Sequence, residues 1–281
     1  MRVVPIEAVP EIVFAQPRAG RLMMRSLLSS EDGTADDFVL YTLRTPKEFF
    51  SPRHRHNFDQ VRLQLAGHSD FGDGRLTPGK IGYFPEGTHY GPQTGSDDST
   101  ILLLQFGGAS GQGHMSHAAL EQAMSLLKRT GTFGDGVYTW HDANGQKHNK
   151  DGYQAAWEAR NGRPMAFAPA RFDRPVFMNP NHFDWQPVDG EPGVRERALG
   201  EFNQRRTSIS LFALPCGSVH AVEGGAIVFV IAGSGIMDGA RWHRHSSAEI
   251  RPGERARFAA EQDAELLAVR MPWSRPAPGA A

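Results

Sequence analysis

Short apolar segments separated by turn residues dominate the chain from residue 21 to 107. FVLYTLR at 38–44 and ILLLQF at 101–106 are rich in large apolar residues, and glycine and proline turns such as GDG at 72–74 lie between such segments. This spacing is typical of an all-β sandwich or barrel. The longest apolar run, AIVFVIA at 226–232, has the length of one buried strand and falls well short of the ~20 residues of a membrane span.

The pattern changes after residue 110. Ser116 is a candidate cap for a helix whose apolar positions recur at helical spacing. These positions are Ala119, Leu120, Ala123, Met124 and Leu127. A second helix is predicted over 152–162, with Tyr153, Ala156 and Trp157 on one side, and the residues between the two helices are polar and rich in turns. We therefore predict a helical connector over 111–175.

A strand pattern returns near residue 176 and resembles that of the first half. VRLQLAGHSDFGDG at 61–74 has a counterpart in IVFVIAGSGIMDG at 227–239, and LTPGKIGYF at 76–84 has one in IRPGERARF at 250–258. An internal repeat explains both matches.

Composition narrows the possible functions. The 30 Lys and Arg residues nearly balance the 31 Asp and Glu residues, so no basic surface for nucleic acid or for a membrane is predicted. The lone Cys216 excludes an intrachain disulfide and favours a reducing compartment. We interpret Cys216 as a buried structural thiol. With no signal peptide or membrane span in the sequence, we expect a cytoplasmic protein.

Histidines provide the strongest chemical signal. Side chains alternate between the faces of a strand, so His54 and His56 share one face, and the same phase brings Gln60 and Arg62 to that side while Asp59 points away. Two imidazoles on one face can chelate a divalent metal, and a histidine distant in sequence can complete the ligand set from a neighbouring strand.

This segment resembles the two sequence motifs of the cupin family. The first motif is a glycine-led His-x-His, a Glu three or four residues later and a Gly after six more. The second combines a Gly, a Pro-x-Gly turn, a His and commonly an Asn. The matching positions are His54, His56, Gln60 and Gly67 for the first motif, and Gly79, Pro85, Gly87, His89 and Gln93 for the second. Gln60 replaces the usual Glu, and no Gly leads His54.

The resemblance implies a fold and a metal site. The fold would be all-β, with two jelly-roll cupin barrels (a bicupin) joined by a short helical connector, giving domains over 1–110, 111–175 and 176–281. The implied metal ligands are His54, His56, Gln60 and His89 in the N-terminal barrel. Fe(II) is the first choice, with Mn, Ni or Zn as alternatives, because imidazoles suit several of these ions.

The second barrel lacks an equivalent ligand set. Its counterparts of the ligand positions are His220, Val222, Ala226 and Asp263. His243, His245 and Glu249 have the spacing of a first cupin motif, but no Pro-x-Gly-x-His follows them. We predict no metal there and a role for this barrel in folding or in a homodimer.

The function implied by the resemblance is a metal-dependent oxygenase, in particular a dioxygenase, acting on a small oxygen-rich or anionic compound. Gln60 would be a weak ligand or a hydrogen-bond donor, and Arg62 would orient the substrate through its guanidinium, unless it forms an ion pair within the barrel. Tyr83 is a candidate pocket or packing residue. Two alternatives stay open: a non-redox isomerase or lyase acting on a sugar acid or keto acid, and a non-catalytic ligand-binding protein.

Overall fold

The computed structural model describes residues 1–30, 36–97, 99–108, 110 and 114–273, and its regular structure is mainly antiparallel strands. The first strands are β1 Arg2–Val4, β2 Ile12–Gln16, β3 Gly20–Ser29, β4 Phe38–Arg44, β5 Asp59–Ala66, β6 Ser69–Asp70, β7 Arg75–Leu76, β8 Ile81–Phe84, β9 Thr94–Gly95, β10 Thr100–Phe106, β11 Gly131–Gly134, β12 Val137–His141, β13 Lys147–Asp151 and β14 Val176–Met178. The remaining strands are β15 Gln186–Pro187, β16 Arg195–Glu201, β17 Ser208–Leu214, β18 Val219–Glu223, β19 Ala226–Ala232, β20 Ser234–Met237, β21 Ala240–His243, β22 Ser247–Ile250, β23 Arg255–Ala260 and β24 Ala264–Arg270. The helices are α1 His117–Leu127 and α2 Gly152–Asn161, with 3₁₀ turns at Ile6–Ala8 and Pro180–His182.

The chain divides into two compact units. The N-terminal unit comprises Glu11–Arg25 and Ser30–Phe177, and the C-terminal unit comprises Met1–Pro10, Ser26–Ser29 and the chain from Met178 onward. The domain limits in the structure therefore differ from those predicted at 110 and 175. The first residues join the C-terminal unit because β1 pairs with β22, a long-range ladder that local sequence patterns cannot reveal.

The N-terminal unit contains a seven-stranded sheet in the order β14-β8-β5-β10-β4-β3-β2 and a three-stranded sheet in the order β7-β6-β9. Strand β5 lies near the centre of the larger sheet, between β8 and β10, and six of its eight residues are buried. A hydrophobic cluster packs beside it, formed by Phe71, Leu76, Phe84 and Tyr90. This sheet positions the candidate site.

The predicted connector forms two helices, as expected, and one further element. Ser116 caps α1 by accepting a hydrogen bond from the Ala119 amide at 3.2 Å, and Asp151 caps α2 by accepting one from the Gln154 amide at 2.9 Å. Tyr153, Ala156 and Trp157, which the sequence placed on one side of this helix, are all buried. Between the helices, β11, β12 and β13 form a three-stranded sheet that the sequence analysis did not predict. Its residues are polar on most positions, so the alternation of apolar and polar residues that predicts a strand is weak in this exposed sheet.

The C-terminal unit has a seven-stranded sheet in the order β1-β22-β19-β24-β17-β16-β15 and a four-stranded sheet in the order β18-β23-β20-β21. Val228, Trp242 and Phe258, from both sheets, share one buried core. The Pro-Gly turns of the proposed repeat have the same geometry in both units: Gly79 has φ +83° and Gly253 has φ +86°. In each turn the residue after the glycine donates to a carbonyl three residues back, as a type II turn requires.

Two further expectations can be compared with this fold. Cys216 is exposed and donates to the Glu261 carbonyl at 3.2 Å, so the prediction of a buried thiol was wrong. It lies in the Pro-Cys-Gly turn after β17, where its side chain leaves the core. Neither α1 nor α2, the α-helices in the described part of the chain, is long and apolar enough to cross a membrane.

Candidate functional site

Two short segments of the N-terminal unit run antiparallel and bring the site together. His54 and Tyr90 form an isolated β-bridge, with the amide of each donating to the carbonyl of the other at 3.0 and 2.9 Å. Ser51 and Gln93 form a second bridge of the same kind. Residues paired across a bridge point to the same face, so Tyr90 is the residue that lies beside His54. His89, the residue before Tyr90, is exposed.

The tyrosine hydroxyl is the centre of the site. Tyr90 Oη lies 3.0 Å from Nε2 of His54 and 3.0 Å from Nε2 of His56, and Nη2 of Arg62 donates to it at 2.8 Å. All four side chains are buried. The structure thus confirms that His54 and His56 share a face and that Arg62 reaches it, but the third ring is a phenol instead of an imidazole.

The hydrogen-bond partners define where the protons lie. Nδ1 of His54 lies 2.6 Å from the Pro52 carbonyl and must donate to it, so Nε2 of His54 accepts the Tyr90 hydroxyl proton. Because the hydroxyl proton is donated to His54, Tyr90 Oη can only accept from His56, so Nε2 of His56 carries a hydrogen and donates it. Burial, followed by the charge of Arg18, holds the pKa of both histidines well below the usual value of histidine. Both rings are therefore neutral at pH 7.

Arg62 is a buried cation held by neutral groups. Nε and Nη2 donate to Gln60 Oε1 at 3.0 and 2.6 Å, and Nη1 donates to Gln93 Oε1 at 2.9 Å. The guanidinium carbon lies 4.3 Å from the ring centre of Phe84 and 5.1 Å from that of Phe71. Among the described residues, no carboxylate lies within ion-pair distance of it. The ion pair within the barrel, one of the two sequence-based hypotheses for Arg62, is thus not formed in the described part of the chain, and the substrate-orienting role stays a prediction.

A second buried arginine supports His56 from the other side. Nη1 of Arg18 lies 3.4 Å from both ring nitrogens of His56, while its Nε and Nη2 donate to the carboxylate of Asp151 at 2.7 Å each. The same carboxylate caps α2, so the connector positions Arg18 against the histidine. Sequence reasoning missed Arg18 and Asp151 because neither belongs to a motif and they lie far apart along the chain.

Asp59 lies on the opposite face of β5, as strand alternation predicted. Its carboxylate accepts hydrogen bonds from Tyr83 Oη at 2.6 Å, from the Glu86 amide at 2.7 Å and from Nη2 of Arg171 at 2.9 Å. Burial raises the pKa of Asp59, and these donors oppose the rise by stabilising the carboxylate. Arg171 also donates to Glu86 at 2.7 Å. Tyr83 therefore belongs to a structural ion network, which fixes the Pro85–Gly87 turn ahead of Tyr90.

Similarity to known proteins is found only at the level of structure. No protein-family model matches the chain, and a search of curated proteins gives no match either. A candidate dioxygenase from Nostoc punctiforme superposes with a TM-score of 0.60 at 12% identity, over 98% of this chain and 84% of that one. Oxalate decarboxylase from Bacillus subtilis, described with Mn(II) centres, gives 0.54 at 8% identity, over 98% and 78% of the two chains. A candidate glyoxylate-induced protein from Pseudomonas aeruginosa gives 0.56 at 11% identity, over 95% and 87%.

These superpositions span both units of the chain. The chain has the bicupin fold. At these identities the likeness shows the fold alone, and the predicted all-β architecture with two cupin barrels and a helical connector is confirmed.

The cupin fold implies a bound divalent metal. Whether the side chains of this bicupin could ligate one depends on where the predicted ligands lie. His89 is exposed while His54 and His56 are buried, so the predicted set of His54, His56, Gln60 and His89 is not brought together. Gln60 Oε1 accepts two hydrogen bonds from Arg62, which uses both of its lone pairs. The described residues contain no group of three or more His, Cys, Asp or Glu that could hold a metal. The residues present do not fit the predicted four-ligand site.

In the second barrel of this bicupin, the histidines have local partners. Nδ1 of His220 lies 2.6 Å from Glu191, and its ring stacks on Phe212. His243 lies 3.4 Å from Glu7, and Glu249 pairs with Arg251 at 3.1 Å. His243 and Glu249 thus have separate partners.

Proposed function

We propose that the N-terminal barrel binds a small organic carboxylate and catalyses a non-redox proton transfer on it, as an isomerase or a lyase for a hydroxy, keto or sugar acid. One observation carries the proposal: the buried Arg62 guanidinium, which has no carboxylate partner among the described residues, lies beside a tyrosine and two neutral histidines. A buried cation costs several kcal/mol unless an anion accompanies it.

The free donors support an anion at this position. Four of the five N–H groups of Arg62 point at Gln60, Gln93 and Tyr90, which leaves one on Nη1. Nε2 of Gln60 is buried and lacks a partner among the described residues. A substrate carboxylate held by these donors would neutralise the guanidinium and satisfy the amide. Gln60 thus contributes as a hydrogen-bond donor.

The hydrogen-bond network supplies the proton chemistry. Once the substrate displaces the hydrogen bond from His56 Nε2–H, Tyr90 Oη takes the proton from the carbon next to the substrate carboxylate, while its own proton passes to Nε2 of His54. The electron pair of the broken C–H bond forms an enolate, whose charge stays next to Arg62. Return of the proton to the same or a neighbouring carbon gives an isomer, and loss of a β-substituent gives a lyase product.

The test is hydrogen exchange of candidate acids in D₂O. We expect the protein, kept under argon with EDTA, to exchange the α-proton of at least one hydroxy, keto or sugar acid, as followed by proton NMR. Arg62→Gln should abolish exchange and carboxylate binding, whereas the control Arg75→Gln, which removes an exposed arginine paired with Asp70, should not. Failure of every acid in the panel both to exchange and to raise the melting temperature would refute the proposal.

A metal-dependent oxygenase is the second candidate. The observation that favours it is the convergence of Nε2 of His54 and Nε2 of His56 on one point, with His54 held in the tautomer that leaves Nε2 free of hydrogen. Fe(II) bound there would supply the redox-active ion that oxygenation needs, which Zn could not. Consumption of oxygen that depends on added metal and on a carboxylate would favour this candidate over the first.

A further inference from the structure

Arg62 reaches the point, near Tyr90 Oη, on which the two histidines of the first cupin motif converge. The four side chains that face this point are His54, His56, Gln60 and Tyr90. Nη2 of Arg62 lies 2.6 Å from Gln60 Oε1 and 2.8 Å from Tyr90 Oη, so this one nitrogen contacts both oxygen donors. The two remaining donors, the histidine nitrogens, are each within 3.0 Å of Tyr90 Oη and are linked to it by hydrogen bonds.

Charge makes the guanidinium and a divalent ion incompatible here. Among the described residues, the charged side chains that contact this site are Arg62 and Arg18, and Arg18 pairs with the partly exposed carboxylate of Asp151, so the three charges sum to +1. A divalent ion bound by Gln60 and Tyr90 would lie next to Nη2 of Arg62, with no carboxylate ligand to offset either charge. Repulsion between such charges is strong where water is excluded.

We infer that Arg62 occupies the place of the metal in this barrel and that the protein holds no resident divalent ion there. The guanidinium is a fixed positive charge that cannot be lost by chelation and that keeps Gln60 and Tyr90 in position. This inference does not depend on the proposed reaction, since metal binding can be measured without any substrate.

The experiment compares metal binding by the wild type and by variants that restore a third histidine. Mn²⁺, Co²⁺, Ni²⁺ and Zn²⁺ are titrated by calorimetry, metal content after dialysis is measured by elemental analysis, and Co²⁺ spectra report the ligands. We expect no stoichiometric binding by the wild type and little by Tyr90→His, in which Arg62 is retained. The double variant Arg62→Leu/Tyr90→His should bind one ion about 100-fold more tightly than Tyr90→His.

A matched control separates the role of Arg62 from a general loss of positive charge. Arg75→Leu/Tyr90→His removes an exposed arginine of the same barrel and should bind metal no better than Tyr90→His. A wild-type protein that retains one equivalent of metal through dialysis overturns the inference. So does a folded Arg62→Leu/Tyr90→His protein that binds no more tightly than Tyr90→His. If that variant does not fold, the wild-type titration alone decides: stoichiometric binding refutes the inference, and its absence supports it.

Discussion

Nη2 of Arg171 and Oδ1 of Asp59 lie 2.9 Å apart and join the segment after α2 to the strand that carries Gln60 and Arg62. Nη1 of the same guanidinium lies 2.7 Å from Glu86, and both carboxylates are almost fully buried. One face of β5 therefore meets two carboxylates and one arginine, with a net negative charge, whereas the other face carries the positive charge of Arg62. An ion network closes one face, and an arginine without a carboxylate partner among the described residues occupies the other.

Replacing Arg171 with methionine should destabilise the N-terminal unit. The change leaves two buried carboxylates without their cation, and breaking a buried pair in this way costs about 3–5 kcal/mol of unfolding free energy. Urea denaturation measures the loss. Arg174→Met, at an exposed arginine of the same segment, should change the unfolding free energy by less than about 0.5 kcal/mol. Equal stability of both variants would show that the network contributes little.

Tyr90→Phe should separate the proton chemistry from folding. Removal of the hydroxyl leaves Nε2 of His54 without a donor, and an unsatisfied buried group costs about 1–3 kcal/mol. If Tyr90 transfers the substrate proton, α-proton exchange should fall by roughly 10²- to 10⁴-fold. Tyr138→Phe is the control, because its hydroxyl donates to the Leu127 carbonyl at 3.0 Å, outside the site. Undiminished exchange in Tyr90→Phe would remove this residue from the mechanism.

The difference between Tyr90 and His89 shows what the sequence could predict about the site. Strand alternation correctly placed His54, His56, Gln60 and Arg62 on one face, because they lie on one continuous stretch of chain. The partner across the bridge depends on register, which tertiary packing sets. In the structure Thr88, His89 and Tyr90 are buried, exposed and buried, so it is Tyr90, not His89, that faces the site.

Turn residues made the turns of the fold predictable from the sequence, whereas long-range strand and side-chain pairing could not be predicted. The pairs Pro78-Gly79 and Pro252-Gly253 predict turns in which the glycine has a positive φ, and both glycines have one. The pairing of β1 with β22 and the ion pair of Arg171 with Asp59 join residues far apart in the chain. Neither leaves a periodic pattern, so composition and spacing could not predict them.

The stability of the N-terminal unit should fall as the pH drops below about 6.5. The folded pKa of His54 and His56 lies well below the value of an unfolded histidine, about 6.5, so below that pH the unfolded chain takes up protons that the folded chain does not. Stability is complete above pH 6.5 and decreases by up to about 1.4 kcal/mol per pH unit for each histidine.

Urea denaturation between pH 7.5 and 5.5 measures this dependence. His54→Gln/His56→Gln should flatten the dependence, whereas His141→Gln, at an exposed histidine, should keep it. A wild-type curve that is already flat across this range would contradict neutral burial of the two rings.

Gly87→Ala should disturb the site through the turn that precedes Tyr90. Gly87 has φ +76°, and a Cβ there would clash with the Ala168 carbonyl oxygen, so the segment after α2 could not keep its contact with the turn. Gly79→Ala is a matched control, since its φ of +83° imposes similar strain while no atom lies within 4 Å of the new Cβ. We expect Gly79→Ala to lose about 1–2 kcal/mol and Gly87→Ala clearly more, together with carboxylate binding. Equal losses in the two variants would mean that backbone strain alone acts at Gly87, and that the contact with Ala168 does not hold the turn.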